Sequence, residues 1–370
     1  MGDILSRIEI VHTADFPTFL SHLFRPLKDV LARYPVQTER NEVQQLRSSV
    51  LDIFSRFPSH SEHLKPYVVE LDDACMKVLR NDNEDNAVIA IKIVCDLHKV
   101  HKHTLEASVQ TFFECVVISY NKAPASVEKL FKGSAESAFA SSGSGSGSGG
   151  GGNNSSKEGN KSILMATESF KVMAEMPLTV MQVFHVHNKH VNKTVPTLVP
   201  VMLAMVAIKH VKPVPVDDSN PQSRHFQDFF SAQVKTLSFL TYLLKHYAQQ
   251  MSGKEALVCG RLVDLLSICP VHNISSRKEL LVAMRHSLSS VEFRTGFLPF
   301  IDNILFEGIL FGSHCHHTMR PQTYATFVDF VLQLKDHLTL PQLLRLISLF
   351  SSDVRYPPAS FIFNPYPGLI

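Results

Sequence analysis

The chain has 370 residues, 45% of them hydrophobic, so it can bury a large core yet exceeds the usual size of one compact domain; two lobes or an elongated array are expected. Its 36 basic and 34 acidic residues give a formal net charge of +2, which leaves no whole-chain electrostatic footprint for nucleic acid or an anionic membrane. Six cysteines with no C-x-x-C pair, most of them in apolar stretches, point to a reducing compartment, and the opening MGDILSRIEI has no signal-peptide pattern.

Taken in order, residues 16–32 read as a helix with Pro26 inside it, and 41–57 as a second, with apolar Leu46, Val50, Leu51 and Phe54 and a stop at Pro58. Residues 62–79 form the next helix. Residues 82–103, DNEDNAVIAIKIVCDLHKVHKH, carry the strongest signal. Asn83, Glu84 and Asp85 supply cap-capable and acidic side chains at the start, and Lys99 and Lys102 close the segment. Ile89, Ile93, Val94 and Leu97 recur at helical spacing while Val88 and Ile91 add apolar surface elsewhere, so this helix is expected to be covered from several directions. A helix follows at 105–120, and no convincing period-two alternation competes with the helical reading.

Self-comparison gives a period. Arg25-Pro26-Leu27 recurs as Lys65-Pro66-Tyr67 at an offset of 40 residues, and Leu46, Val50, Leu51 and Phe54 recur as Ile89, Ile93, Val94 and Leu97 at an offset of 43. Helical-hairpin repeats of HEAT and armadillo type run to about 40–47 residues. Each hairpin leaves a face uncovered, and stacking closes it. The expected fold is therefore all-α, a HEAT/armadillo-type α-solenoid of stacked helical hairpins. Residues 1–132 make the first set of repeats, 133–161 a Gly/Ser-rich flexible linker, 162–352 the continuing repeats, and 353–370 an irregular Pro/aromatic-rich tail. In the second set, helices are expected at 163–190 with a kink at Pro177, 195–211, 226–249, 254–268, 276–288, 293–311, 321–337 and 341–350. The apolar run 195–208 is broken by Pro196 and Pro200 and falls short of the roughly 20 residues of a bilayer span.

Residues of chemical interest are few. His314, Cys315, His316 and His317 are consecutive, and adjacent side chains cannot all converge on one tetrahedral ion. His185, His187 and His190 lack the glutamate of H-E-x-x-H and read as surface or partner-facing residues. Gly145, Gly147 and Gly150 fit G-x-G-x-x-G only within low-complexity sequence, and Gly253-Lys254 lacks the rest of a P-loop. Asp72-Asp73 and Asp217-Asp218 read as solvated carboxylates, and the His/Lys runs at 99–102 and 185–193 read as solvated helix ends. No catalytic, cofactor-binding or metal-ligating residue is expected.

DNEDNAVIAIKIVCDLHK resembles a helix of the TRRAP family of transcription coactivators, related to the PIK-related kinases. The resemblance extends in the same order through VLDIFSRFP, SFKVMAEMPLTVM, FFSAQVKTLSFLTYLLKHY, LLSICP, SSRKELLVAMRHSL and MRPQTYATFVDFVLQLKDHL, across residues 19–350. It implies the beginning of a very long HEAT solenoid. It also implies a non-catalytic, nuclear scaffold, a pseudokinase relative, whose partners are transcription activators and subunits of SAGA-type histone acetyltransferase complexes. No cofactor, nucleic acid, membrane or small-molecule substrate is implied. The family pattern is lost after about residue 352, short of the FAT and kinase-like regions. Two alternatives share the architecture: an importin-like transport adaptor, which would require a GTPase partner, and a piece of an active PIK-related kinase, which would require a nucleotide pocket.

Overall fold

The computed structural model describes residues 15–132, 163–209, 221–306, 308–311 and 315–355. The linker at 133–161, Asp217-Asp218, His314 and residues 356–370 of the tail lie outside the described residues. Helix α1 spans Phe16–Arg33 with Pro26 inside it. α2 spans Glu42–Ser55, its first turn capped by Asn41 accepting from the Gln44 amide. A 3₁₀ turn at Glu62–Tyr67 leads into α3, Val68–Asn81. α4 spans Glu84–Val100 and α5 Val109–Val127.

Asn83 caps α4 by accepting from the Asn86 amide, as its position before the apolar run predicts. α4 is covered by α2, α3 and α6 (Phe170–Val186), so its buried residues face in several directions. Ala90, Ile91, Ile93, Val94 and Leu97 are buried, whereas Ile89 is half-buried and Lys92, Asp96 and Lys99 form the exposed edge. Aromatic contacts tie the neighbouring helices together: Phe24 to Phe54 at 5.7 Å between α1 and α2, and Phe113 to Phe184 at 5.2 Å between α5 and α6.

The segment before α6 returns to the start of α4. Glu84 N donates to Leu164 O at 2.8 Å, and Ala166 N to Asp82 O at 2.8 Å. The isolated antiparallel bridge between Asn83 and Met165 lies here; no named strand forms among the described residues. The helix expected at 163–190 runs as α6 with Pro177 inside it, ends at Val186 and breaks at His187. α7 then spans Asn188–Val206, with Pro196 and Pro200 inside it.

α8 spans Pro221–Met251, broken at Tyr247 (φ −137°, ψ 40°), and α9 and α10 span Glu255–Ile268 and Ile274–Ser289. The single helix expected at 293–311 is divided into α11 (Val291–Arg294), a 3₁₀ turn (Thr295–Phe300) and α12 (Ile301–Phe306). Close approach explains part of the irregularity. A Cβ on Gly296 would meet Glu255 O at 2.8 Å, so the backbone there lies directly against α9. α13 spans Arg320–Leu334 and α14 Leu340–Arg355.

The chain divides into two compact units, Met1–Val201 with Ile208–Ala232, and Met202–Ala207 with Gln233–Ile370. In the second, α10 packs on α9 and α13, and Phe297 meets Phe330 edge-on at 5.7 Å. The fold is all-α. No described helix is long and apolar enough to cross a membrane.

A polar node in the first unit fixes the start of α4. Asp82 is 1% exposed, and both Nε and Nη2 of Arg47 donate to its Oδ2. Arg47 Nη1 donates to Leu31 O at 2.7 Å and Tyr34 O at 2.6 Å, closing the end of α1. Asp82 Oδ1 accepts from Asn83 N at 2.7 Å and Asn86 Nδ2 at 3.0 Å, and the Gln44 carbonyl accepts from both asparagine amides. Removing one partner leaves a buried charge without compensation. Arg47→Met is expected to cost about 3–5 kcal/mol in urea unfolding, with part of the loss recovered in the Arg47→Met/Asp82→Leu double variant. A single-variant cost below about 1 kcal/mol would contradict this role.

Candidate functional site

The described residues contain no grouping of three His, Cys, Asp or Glu side chains suited to a metal ion. Within the run after His314, the residues have local tasks. His316 Nδ1 lies 2.8 Å from Thr318 Oγ1 and accepts from Thr318 N, capping the short turn His317–Met319. Cys315 Sγ lies 3.6 Å from Thr323 Oγ1.

The histidines at 185–190 require a correction. His185 is exposed and His190 half-buried, but His187, expected at the surface, is 3% exposed. Its Nε2 lies 3.0 Å from Nδ1 of His98, and the rings cross at 80°. His98 is 0% exposed and presents its other nitrogen to Asp72 Oδ1 at 3.6 Å, just outside hydrogen-bond distance. Asp72, read from sequence as a solvated carboxylate, is therefore part of the core; Asp73 alone of that pair is exposed, and it pairs with Lys77 at 2.7 Å. The line Asp72, His98, His187 joins α3, α4 and the break between α6 and α7. Helical spacing could mark His98 as buried, but could not foresee a partner 89 residues away.

The pair brings two basic segments to one surface. Glu106 follows α4, and its carboxylate receives Lys189 at 3.3 Å and His190 at 3.7 Å from the first turn of α7. The hydrogen bond from Lys189 holds the Glu106 carboxyl below its ordinary range, its charge and that of His190 adding to the effect. At the opposite end of α4, Ser169 Oγ donates to Glu84 at 2.5 Å and Lys171 pairs with Asp85 at 2.6 Å. Near that cluster, burial first and the charge of Glu84 second push the Asp228 carboxyl up to about 6.

Among the grooves of the described residues, two are candidates for chemistry. One, of about 430 Å³, lies between α1 and α3 above Arg47 and Asp82, and its rim charges Lys28 and Glu70 are already paired with each other. The other, of about 640 Å³ in the second unit, is lined by Thr241, Tyr242 and Leu244 of α8 with His286, Val291 and Glu292. Ser289 and Ser290 also line the second groove; Ser289 Oγ donates to Arg285 O at 2.9 Å and Ser290 Oγ to the Glu292 carboxylate at 2.9 Å.

The buried imidazole pair makes stability depend on pH. Burial first, then the neighbouring His98, His190 and Lys102, lower the His187 pKa to about 4, so the unfolded chain binds a proton that the folded chain excludes between about pH 6.5 and 4. This contribution is present above pH 6.5 and is lost as pH falls towards 4, at no more than about 1.4 kcal/mol per pH unit. Asp228 acts in the opposite sense, favouring the fold at low pH and losing that contribution as pH rises through about 6. Comparing the chain with His187→Gln cancels the Asp228 contribution. Urea unfolding is expected to show the stability gap between the two narrowing from pH 7 to pH 5; a constant gap would contradict the assignment.

Residues 225–359 match the family model described as the Tra1 HEAT repeat central region. The resemblance in sequence pointed to the beginning of the solenoid, whereas the matching model describes its central region. The chain is 28% identical over 358 residues to the transformation/transcription domain-associated protein of Homo sapiens, covering 93% of this chain and 9% of that relative. It is 28% identical over 372 residues to the SAGA complex/NuA4 acetyltransferase complex subunit Tra1 of Schizosaccharomyces pombe, covering 95% of this chain and 10% of the relative. The probable transcription-associated protein 1 of Dictyostelium discoideum is 27% identical over 413 residues, covering 94% and 9% respectively. The chain thus spans about a tenth of the length of these relatives and is similar to them along nearly all of its own length, with residues 225–359 matching the Tra1 HEAT repeat central region.

Proposed function

We propose that the chain is a non-catalytic, nuclear scaffold segment that holds transcription activators and subunits of a SAGA- or NuA4-type histone acetyltransferase complex on the faces of its helices. The observation that carries this reading is the coverage, nearly end to end, by relatives named as SAGA complex/NuA4 acetyltransferase complex subunits. The surface supports it. α14 lodges Leu346 in the core, sets Arg345 4.2 Å above the Phe306 ring and bonds Gln342 to Asp302, while Leu340, Leu344 and Ile347 form an outward row at i, i+4 and i+7. Such a row is suited to a further amphipathic helix, as in stacked helical repeats.

Recruitment by recognition needs no bond-breaking machinery, and the matched family model covers HEAT repeats alone. The test is affinity capture from nuclear extract on the purified, tagged chain, with the eluate assayed for SAGA and NuA4 subunits and for histone acetyltransferase activity. Enrichment of both is expected. Recovery of neither would overturn the scaffold reading, and ATP-dependent phosphotransfer by the purified chain would overturn its non-catalytic part.

A further inference from the structure

α14 presents an apolar row to solvent. Leu340 is 68% exposed, Leu344 57% and Ile347 64%, and their spacing at i, i+4 and i+7 sets them on one side of the helix in a row about 10 Å long. Another side of the helix is occupied: Leu346 is buried, Gln342 bonds to Asp302 and Arg345 lies over the Phe306 ring. Arg345 is the one charged residue from Leu340 to Ser352, so the row itself offers no charge by which a ligand could be steered or selected.

The segment that follows α14 in the chain has matching chemistry. Residues 356–370, YPPASFIFNPYPGLI, contain no Asp, Glu, Lys, Arg or His, and seven of the fifteen are Phe, Tyr, Leu or Ile. Pro357, Pro358, Pro365 and Pro367 oppose an α-helix and favour extended backbone, because each fixes its own φ, lacks an amide donor and restricts the residue before it. Reach decides where such a segment can lie. At about 1.5 Å per helical residue, Ile347, Leu344 and Leu340 stand about 12, 16 and 22 Å back along α14 from Arg355. A chain that reverses at Pro357-Pro358 and returns at about 3.2 Å per residue brings Phe361, Phe363 and Tyr366 to about 10, 16 and 26 Å. In an extended strand Phe361 and Phe363 fall on the same side.

We propose that residues 356–370 fold back along α14 as an extended strap that lays Phe361 and Phe363 on Ile347 and Leu344. Covalent attachment selects this occupant over a second copy of the chain. A segment tethered a few residues from the row meets it at an effective concentration on the order of millimolar, well above that of a second copy in dilute solution. A further amphipathic helix reaches the same row only when the strap is off it, so the strap is a competitor built into the chain. The proposal goes beyond the scaffold reading and stands without it.

The chain contains no tryptophan, so Phe363→Trp in the full chain places a single emitter on the strap. Its fluorescence is expected to be blue-shifted from that of a free peptide of residues 356–370 carrying the same substitution, and the shift to be independent of protein concentration. Adding Leu344→Glu and Ile347→Glu is expected to abolish the shift. Both positions are more than half exposed, so helical content by far-ultraviolet circular dichroism is expected to be retained. Should that variant fail to fold, hydrogen exchange decides: Phe361→Glu with Phe363→Glu in the full chain is expected to speed exchange in peptides covering 340–348. Emission like that of the free peptide, or a blue shift that survives both glutamates on α14, would overturn the proposal. So would unchanged exchange at 340–348, or a shift that grows with protein concentration, which would make a second copy the occupant.

Discussion

Asp82 is 1% exposed, and Arg47, Asn83 and Asn86 supply the hydrogen bonds that water would otherwise give its carboxylate oxygens. Those partners come from three directions. Arg47 belongs to α2 and simultaneously closes carbonyls at the end of α1; Asn83 and Asn86 belong to the start of α4; and the backbone of Asp82 receives the chain arriving before α6. Apolar packing alone would allow these helices to slide along one another. The polar node fixes where α4 begins and therefore where its other end, with His98, meets His187. In this account the basic surface at 98–106 and 185–193 is a distant consequence of the register fixed at Asp82.

Arginine has a related task in the second unit. Arg261 donates to Val206 O at 2.8 Å, and Arg277 donates to Ile309 O at 2.5 Å and Leu310 O at 3.1 Å. A guanidinium presents several donors in a fixed plane, so one side chain can satisfy carbonyls that a helix end or an irregular turn leaves open. Helical repeats need such closures because every hairpin exposes chain ends within the stack. Arg47, Arg261 and Arg277 are thus buried for structural reasons, whereas Lys102, Lys189 and Lys193 are exposed.

The helical class was legible because Val50, Leu51, Phe54, Ile93, Val94 and Leu97 repeat at helical spacing and all six are buried. Asn83 was legible as a cap for the same local reason. Gln44, Arg47 and Asp82 were not, because a search for apolar periodicity treats polar residues as surface and cannot pair positions 35 residues apart. His187 was misplaced by the same assumption. The division of 293–311 depended on contact between Gly296 and α9 that no local pattern encodes. The proposed function rests on ordered resemblance alone, since recognition surfaces follow no fixed catalytic spacing.

The most direct test of the central claim is hydrogen exchange by mass spectrometry on the chain and its Arg47→Met variant under native conditions. If Asp82 and Arg47 fix the register of the first unit, peptides from the end of α1, from α2, from the start of α4 and from 163–169 lose protection together. Loss confined to the end of α1, with α4 and 163–169 protected as before, would contradict the account.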